Sequence, residues 1–470
     1  MWHRVGVVTP QSGTQRAQSG HHVVWFRRDL RLLENPAWAH ATQSADEVTA
    51  LFVIDSALFD AAGPFRTAAL VAHLRALDEM LRERDGRLRV EFGDPRTVVP
   101  AVASELDAAV AWNADTTPYA TERDAAVAVA LDQPPSNHWG TLVHKPGAVL
   151  TGKGTLSRVF TPFYKVWDRT PLDPWSEGEG PATVADAAGR PLPDVEGVAD
   201  IRGGEVAARA RFGEFLDRVD DYLDNRDFPA VVGTSLLSSD LRFGTLSPRE
   251  IKAVTGDASA GRSGFVRQLA WRDWYAHLLA QNPTMPRAAI KPEYDTIDWR
   301  NDPDEFDAWK QGRTGYPIVD AGMRQLAATG WMHNRVRMIV GSFLVKHLLI
   351  DWRKGERWFR HLLVDADVSQ NVGNWQWVAG CGTDAAPYFR VFNPWLQSRK
   401  FDRGGAFIRQ WVPELAELQG DHVHEPTTAA PLDLAAAGIT LGETYPFPIV
   451  DHPFARERAL ATYKAAVSNK

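Results

Sequence analysis

The 470 residues, 44 % hydrophobic and 24 % charged, have ordinary globular composition, which excludes a disordered or fibrous chain and leaves room for two or three domains. A net charge of −7 excludes wholesale coating of nucleic acid but not a local basic face. The single Cys381 excludes an intramolecular disulfide and a thiolate zinc site, so no metal and a reducing, cytoplasmic setting are expected. Residues 1–20 lack the apolar core of a signal peptide. Residues 339–350 are apolar but carry Lys346 and His347, too short and too charged to span a bilayer.

In chain order, the β-branched and aromatic runs 22–26, 48–54, 87–92 and 108–112 predict strands. Asn35-Pro36 opens a helical pattern. Leu70, Leu74, Leu77 and Leu81 give 68–84 one apolar face, and 98–106 is again helical. Alternation of this kind predicts a parallel, Rossmann-like α/β domain over 21–145. No Gly-x-Gly-x-x-Gly follows any strand. Gly147-Ala-Val-Leu-Thr-Gly152-Lys153 nearly spells a phosphate loop, but Gly154 stands where the magnesium-holding hydroxyl belongs, so a turn is expected. Pro, Gly and acidic residues without periodicity place an interdomain linker at 146–204.

Residues 205–470 predict an all-α domain, with helices over 205–223, 263–280, 304–311, 318–329, 331–349 and 355–363. In the 331–349 pattern Val336, Ile339, Val340, Phe343, Leu344 and Leu348 hold one apolar face, and Arg335, Lys346 and His347 are expected to leave it. The hydroxyls of 233–240 suit a phosphate held without metal, and they suit helix capping almost equally. Gln268, Trp271, Arg272 and Tyr275 share a helix face, either around a ligand or as core packing with a solvated arginine. The stretch 365–411 packs carboxylates, amides, indoles and glycines around Asn371-Val-Gly-Asn-Trp-Gln-Trp377. It is poor material for a plain helix and reads as a site, or as a glycine-broken loop whose indoles cap the core.

Arg27-Arg-Asp-Leu-Arg31, Phe160-Thr-Pro-Phe163, Leu241-Arg-Phe-Gly-Thr-Leu-Ser-Pro-Arg249, Trp271-Arg-Asp-Trp-Tyr275, the run from Gly312 to Arg324 and the stretch just described resemble the photolyase/cryptochrome family, over residues 22–414. Trp331-Met-His-Asn-Arg335 with Met338 resembles the class I cyclobutane pyrimidine dimer photolyases. The resemblance implies non-covalent FAD in the helical domain, contacted by Tyr222, Thr234, Ser235, Leu237, Ser238, Phe265, Asp365 and Asp367, with Asn371 facing flavin N5. An amide there can adjust its hydrogen bonding as N5 gains or loses a proton, where a carboxylate would add charge.

Trp375, Trp352 and Trp299 resemble the family's electron-transfer triad. Trp271 and Trp377 match indoles that pack against a flipped dimer, and Gln268, Asn334 and Met338 match positions that touch it. Arg226, Arg335, Arg390 and Gln397 match DNA contacts, with Arg399, Lys400 and Arg403 adding charge for phosphates. The implied reaction is light-driven splitting of cyclobutane dimers in damaged DNA, by a monomer away from membranes.

Two residues depart from the pattern. Gln268 stands where the cyclobutane enzymes carry a glutamate, and Thr117 replaces a glutamate of folate-antenna members, leaving a second chromophore open between methenyltetrahydrofolate, 8-hydroxy-deazaflavin and none. A cryptochrome-like photoreceptor without repair and a (6-4) photolyase are the alternative expectations.

Overall fold

His21–Phe26 (β1), Glu47–Ile54 (β2), Leu88–Phe92 (β3) and Ala109–Asn113 (β4) are strands, as their β-branched and aromatic content predicts. In this computed structural model residues 20–175, 178–187, 189–195 and 201–468 are described. The expectations for the polar amino terminus, and for the linker at 176–177, 188 and 196–200, lie outside the described residues. With Ser136–His138 (β5), the strands form a parallel sheet of order β3-β2-β1-β4-β5, and Thr183–Val184 (β6) pairs with β2. In register, His22 sits opposite Val48 and Val23 opposite Val110.

Both faces of the sheet are covered, which is why its strands read as continuous apolar runs. Val24, Phe26, Ala50 and Phe52 pack on one face, and Val23, Trp25, Leu51 and Trp112 on the other. Three of the covering helices start at capped prolines: Asn35 before Pro36, Asp94 before Pro95 and Thr117 before Pro118. The expected linker carries structure of its own. Phe160–Trp167 is a helix whose Phe160, Phe163 and Trp167 are buried in the helical core, and β6 extends the sheet.

From Gly204 onward the described chain is helical apart from the Leu441–Tyr445 bridge. Two expectations are corrected here. The 331–349 pattern becomes an α-helix over Asn334–Ser342 and a π-helical turn over Phe343–His347. The widened turn changes the register, so Lys346 and His347 are buried instead of leaving the apolar face. The supposedly irregular Asn371–Trp377 lies inside a regular helix, Val368–Ala379, capped by Asp367 and closed by Gly380 at φ 84°. Gly373 does not break that helix. A Cβ there would collide with the Tyr275 ring, so this glycine allows the Ala260–Gln281 helix to pack against it.

The two halves are tied by a buried and a half-buried arginine. Arg31 donates to the carbonyls of Gly140 and Gly244 at 2.6 and 2.8 Å, and Arg28 bridges Asp115 of the sheet half to Asp367 of the helical half.

Candidate functional site

The Val368–Ala379 helix presents two faces to two adjoining cavities. Asn371, Asn374, Trp375 and Val378, spaced by three and four, line a narrow cavity of about 80 Å³. Gln370, Asn374 and Trp377 face a wider one of about 650 Å³. The cavities share Asn334, Arg337, Met338, Asp365 and Asp367 as walls, so they form one site with a deep end and a mouth.

At the deep end the Asn371 amide nitrogen donates to both the carbonyl and the Oε1 of Glu356, each at 3.0 Å. Its Oδ1 accepts no hydrogen bond among the described residues and is left for a ligand in the cavity. Glu356 is 1 % exposed and also holds Arg360 at 3.0 Å; burial raises its pKa despite that cation. Asp365 takes a two-pronged contact from Arg337, at 3.1 and 2.8 Å. Burial pushes the Asp367 carboxyl up, but the guanidiniums of Arg28, Arg272 and Arg242 and the Ser369 hydroxyl outweigh it and hold the group well below the usual carboxylate range. Burial and the neighbouring Arg28 charge in turn lower Arg242 to about 9.

Along the wider cavity lie Tyr222, Thr234, Ser235, Leu237, Ser238 and Phe265. Leu236 adopts a left-handed conformation, φ 56°, which turns this loop ahead of the Ser238–Phe243 helix. The same wall holds Gln268, Trp271, Arg272 and Tyr275. Arg272 is not the solvated cation that packing alone would predict: it donates to the carbonyls of Thr141 and Leu241. The Trp271 indole is stacked on Phe160 with centroids 3.6 Å apart and is thereby fixed as a rigid plate at the mouth. Trp377, Asn334, Met338, Arg226 and Arg335 complete this rim.

Arg390 and Gln397 do not line the cavity, and Arg390 is exposed. Arg399 is engaged by Asp421 and Glu425, which removes most of its charge from the basic surface expected there. Of the three selected indoles two are buried and one is partly exposed. Trp375 lines the deep end, Trp352 is 1 % exposed, and Trp299 is half-buried against Tyr463, at 6.0 Å. A Cβ at Gly355 would collide with the Trp375 ring, so that glycine seats the innermost indole on the Trp352–Leu362 helix.

Sequence reasoning missed Glu356 and Arg337. Arg337 was in reach, since it follows Asn334 by three and precedes Met338. Glu356 is 15 residues from Asn371 and gave no signal. The two joined cavities together fit a flavin: an amide oxygen for a ring N–H at the deep end, arginines for anionic groups along the wider part, and aromatic walls.

A second cavity, about 750 Å³, opens at the carboxyl ends of β1 and β4, where the strand order reverses. Eight arginines line it against three acidic residues, Asp55, Asp115 and Glu122, so its field favours an anion. Thr117 lines it too, while its Oγ1 accepts from Ala120 N to cap the Pro118–Ala130 helix.

Residues 265–465 match the family model described as the FAD binding domain of DNA photolyase, and residues 22–181 the one described as DNA photolyase. A deoxyribodipyrimidine photo-lyase of Agrobacterium fabrum is 41 % identical over 94 % of this chain and 97 % of its own. The crystal structure of a bacterial class III photolyase from Agrobacterium tumefaciens superposes with TM-score 0.88 at 38 % identity, covering 97 % of this chain and all of that one. An archaeal photolyase from Sulfolobus tokodaii, solved with two FAD molecules, gives 0.83 at 34 % identity over 95 % of this chain and all of that one.

Proposed function

The chain belongs to the DNA photolyase family, and from that premise we propose that it is a light-driven lyase that splits cyclobutane pyrimidine dimers in damaged DNA with a bound FAD. The observation that carries this reading is the single helix, Val368–Ala379, that serves both the narrow deep end and the aromatic mouth of the joined cavity. Flavin and lesion can then lie in contact.

The bound flavin supplies light absorption and the electron that opens the dimer. The chain's own residues bind, orient and exclude water. Asn371, held by Glu356, offers its oxygen to the ring N5–H. Tyr222, Thr234, Ser235, Leu237, Ser238, Phe265, Asp365 and Asp367 hold the rest of the dinucleotide, and Arg337 and Arg242 set the positive field around it. Trp271 and Trp377 flank a flipped dimer, with Gln268, Asn334 and Met338 against its base edges. A dimer is already poorly stacked, so extruding it costs less than flipping normal bases.

Trp299, Trp352 and Trp375 carry electrons inward to restore the reduced cofactor; Trp375 lines the cavity and Trp299 is the one of the three that reaches solvent. Arg226, Arg335, Arg390 and Gln397 grip the strand, and the protein works as a cytoplasmic monomer. The arginine-lined cavity at the sheet takes a second, anionic chromophore, methenyltetrahydrofolate or a deazaflavin. No helix of the described residues is long and apolar enough to cross a membrane.

Illuminating the reduced protein with DNA carrying either a cyclobutane or a (6-4) lesion tests the reading. Restored bases are expected from the cyclobutane lesion alone. Failure to restore either lesion, with the flavin still photoreduced, would favour a photoreceptor.

A further inference from the structure

Gln268 lies one turn before Trp271 on the Ala260–Gln281 helix, at the cavity mouth. Its Nε2 donates to the backbone carbonyl of Gly264 at 2.9 Å. A carbonyl can only accept, so this contact decides which end of the amide is nitrogen. Turning the amide over would set Oε1 against the Gly264 oxygen, two acceptors at hydrogen-bond distance. The orientation is locked, and Oε1 with the second amide hydrogen is left for a ligand.

We propose that Gln268, locked by Gly264, makes the protein select thymine or uracil over cytosine at one of the two bases of the dimer. The proposal rests on the photolyase reading above. Thymine presents an N3–H donor beside an O4 acceptor, which the free Oε1 and N–H of Gln268 complement. Cytosine reverses that order, with an N3 acceptor beside an amino donor. The amide meets it only by turning over and losing Gly264. A glutamate has two equivalent acceptor oxygens and no such order. It accepts from thymine N3–H or from the cytosine amino group alike, so a selectivity of this kind comes from the exchange of Glu for Gln.

A two-pronged amide–base contact discriminates against the wrong base by about ten- to a hundredfold. Binding in the dark reads it without repair. The FAD-loaded protein is titrated with oligonucleotides carrying one thymine–thymine dimer, or one mixed dimer with cytosine on the 5′ or the 3′ side.

One mixed dimer is expected to bind about ten- to a hundredfold more weakly than the thymine dimer, and the other within about threefold of it. Letting the disfavoured cytosine deaminate to uracil within the dimer should restore binding. Gln268→Glu should bring all three dimers together, and Gln268→Leu should do so too, by weakening the thymine dimer and the favoured mixed dimer to the level of the disfavoured one. Equal affinities for the three dimers in the unaltered protein, or discrimination that persists in Gln268→Glu and Gln268→Leu, overturn the lock. Binding to no dimer at all by FAD-loaded protein overturns the photolyase reading instead.

Discussion

Asn371 would be ambiguous on its own, because an amide can offer either end to a flavin. Glu356 removes the ambiguity: its backbone carbonyl and its Oε1 both face the Asn371 nitrogen, which leaves the amide oxygen for N5–H. This favours a flavin that keeps a proton on N5. Replacing Glu356 with Leu removes the side-chain acceptor, at about 1–3 kcal/mol for a buried donor left short of a partner, but the backbone carbonyl of residue 356 still holds the nitrogen. Glu356→Gln retains both acceptors. On illumination the one-electron-reduced flavin should therefore be blue, with N5 protonated, in the unaltered protein, in Glu356→Gln and in Glu356→Leu. Absorption spectra decide it, and a red form in Glu356→Leu would show that the Glu356 side chain, not the backbone carbonyl, sets the orientation of the amide. The pair also shows the reach of sequence reading at this scale. Gln268, Trp271, Arg272 and Tyr275 could be put on one face by counting along a helix, whereas the Asn371–Glu356 contact exists only because two separate helices, Trp352–Leu362 and Val368–Ala379, pack together.

Strands β1 to β4 were legible because a parallel sheet buried on both faces leaves uninterrupted apolar runs. β5, Ser-Asn-His, has no such run, and the Ala-rich Pro118–Ala130 helix lacks a clear apolar stripe. The Val368–Ala379 helix was misread because its glycine and amides are shaped by the neighbouring helix and the ligand cavity, which local propensity does not contain. The π-helical turn at Phe343–His347 was illegible for a related reason, since its residues follow an ordinary helical pattern until the backbone widens. That turn buries Lys346 above the Tyr463 ring, 3.4 Å away, with long contacts to the Ala379 and Tyr388 carbonyls. Burial lowers Lys346 to about 7. Between that value and the unfolded value near 10.4, the unfolded chain holds a proton the folded chain lacks, so stability rises with pH across the window. Below about 7 both states are charged, and the folded state carries the full cost of the buried cation. Lys346→Met keeps the length without the charge. It should flatten the rise between pH 7 and 10 and add about 1–3 kcal/mol at pH 7. Denaturant titrations at several pH values measure this, and an undiminished pH slope would mean that other groups produce it.

Over the whole molecule the charge is −7, so attraction to DNA must come from a local field around the mouth of the site. The structure grades the cations expected to meet DNA by their ion pairing. Arg390, Lys400 and Arg403 have no ion-pair partner among the described residues, and Arg226 has only Asp227 at 4.0 Å. Arg335 is held by Asp227 at 2.8 Å and lies over the Phe401 ring, so it is positioned but partly neutralised. Arg399 is neutralised by two carboxylates. Each phosphate neutralised on binding releases counterion and adds about 0.9 to the slope of log affinity against log salt for duplex DNA. The three unpaired cations and the weakly paired Arg226 therefore predict a slope of about −3 to −4. Arg390→Ala should make it shallower by about one, and it should weaken binding to dimer and undamaged DNA in the same proportion, because a phosphate contact carries no lesion information. Arg399→Ala, although close in sequence to Lys400 and Arg403, should leave the slope unchanged, since Asp421 and Glu425 already cancel its charge. Fluorescence titrations between 50 and roughly 300 mM salt would separate these cases. An equal loss of slope in Arg390→Ala and Arg399→Ala would show that DNA breaks the Arg399 ion pairs on docking, and the basic surface would then be larger than the free protein displays.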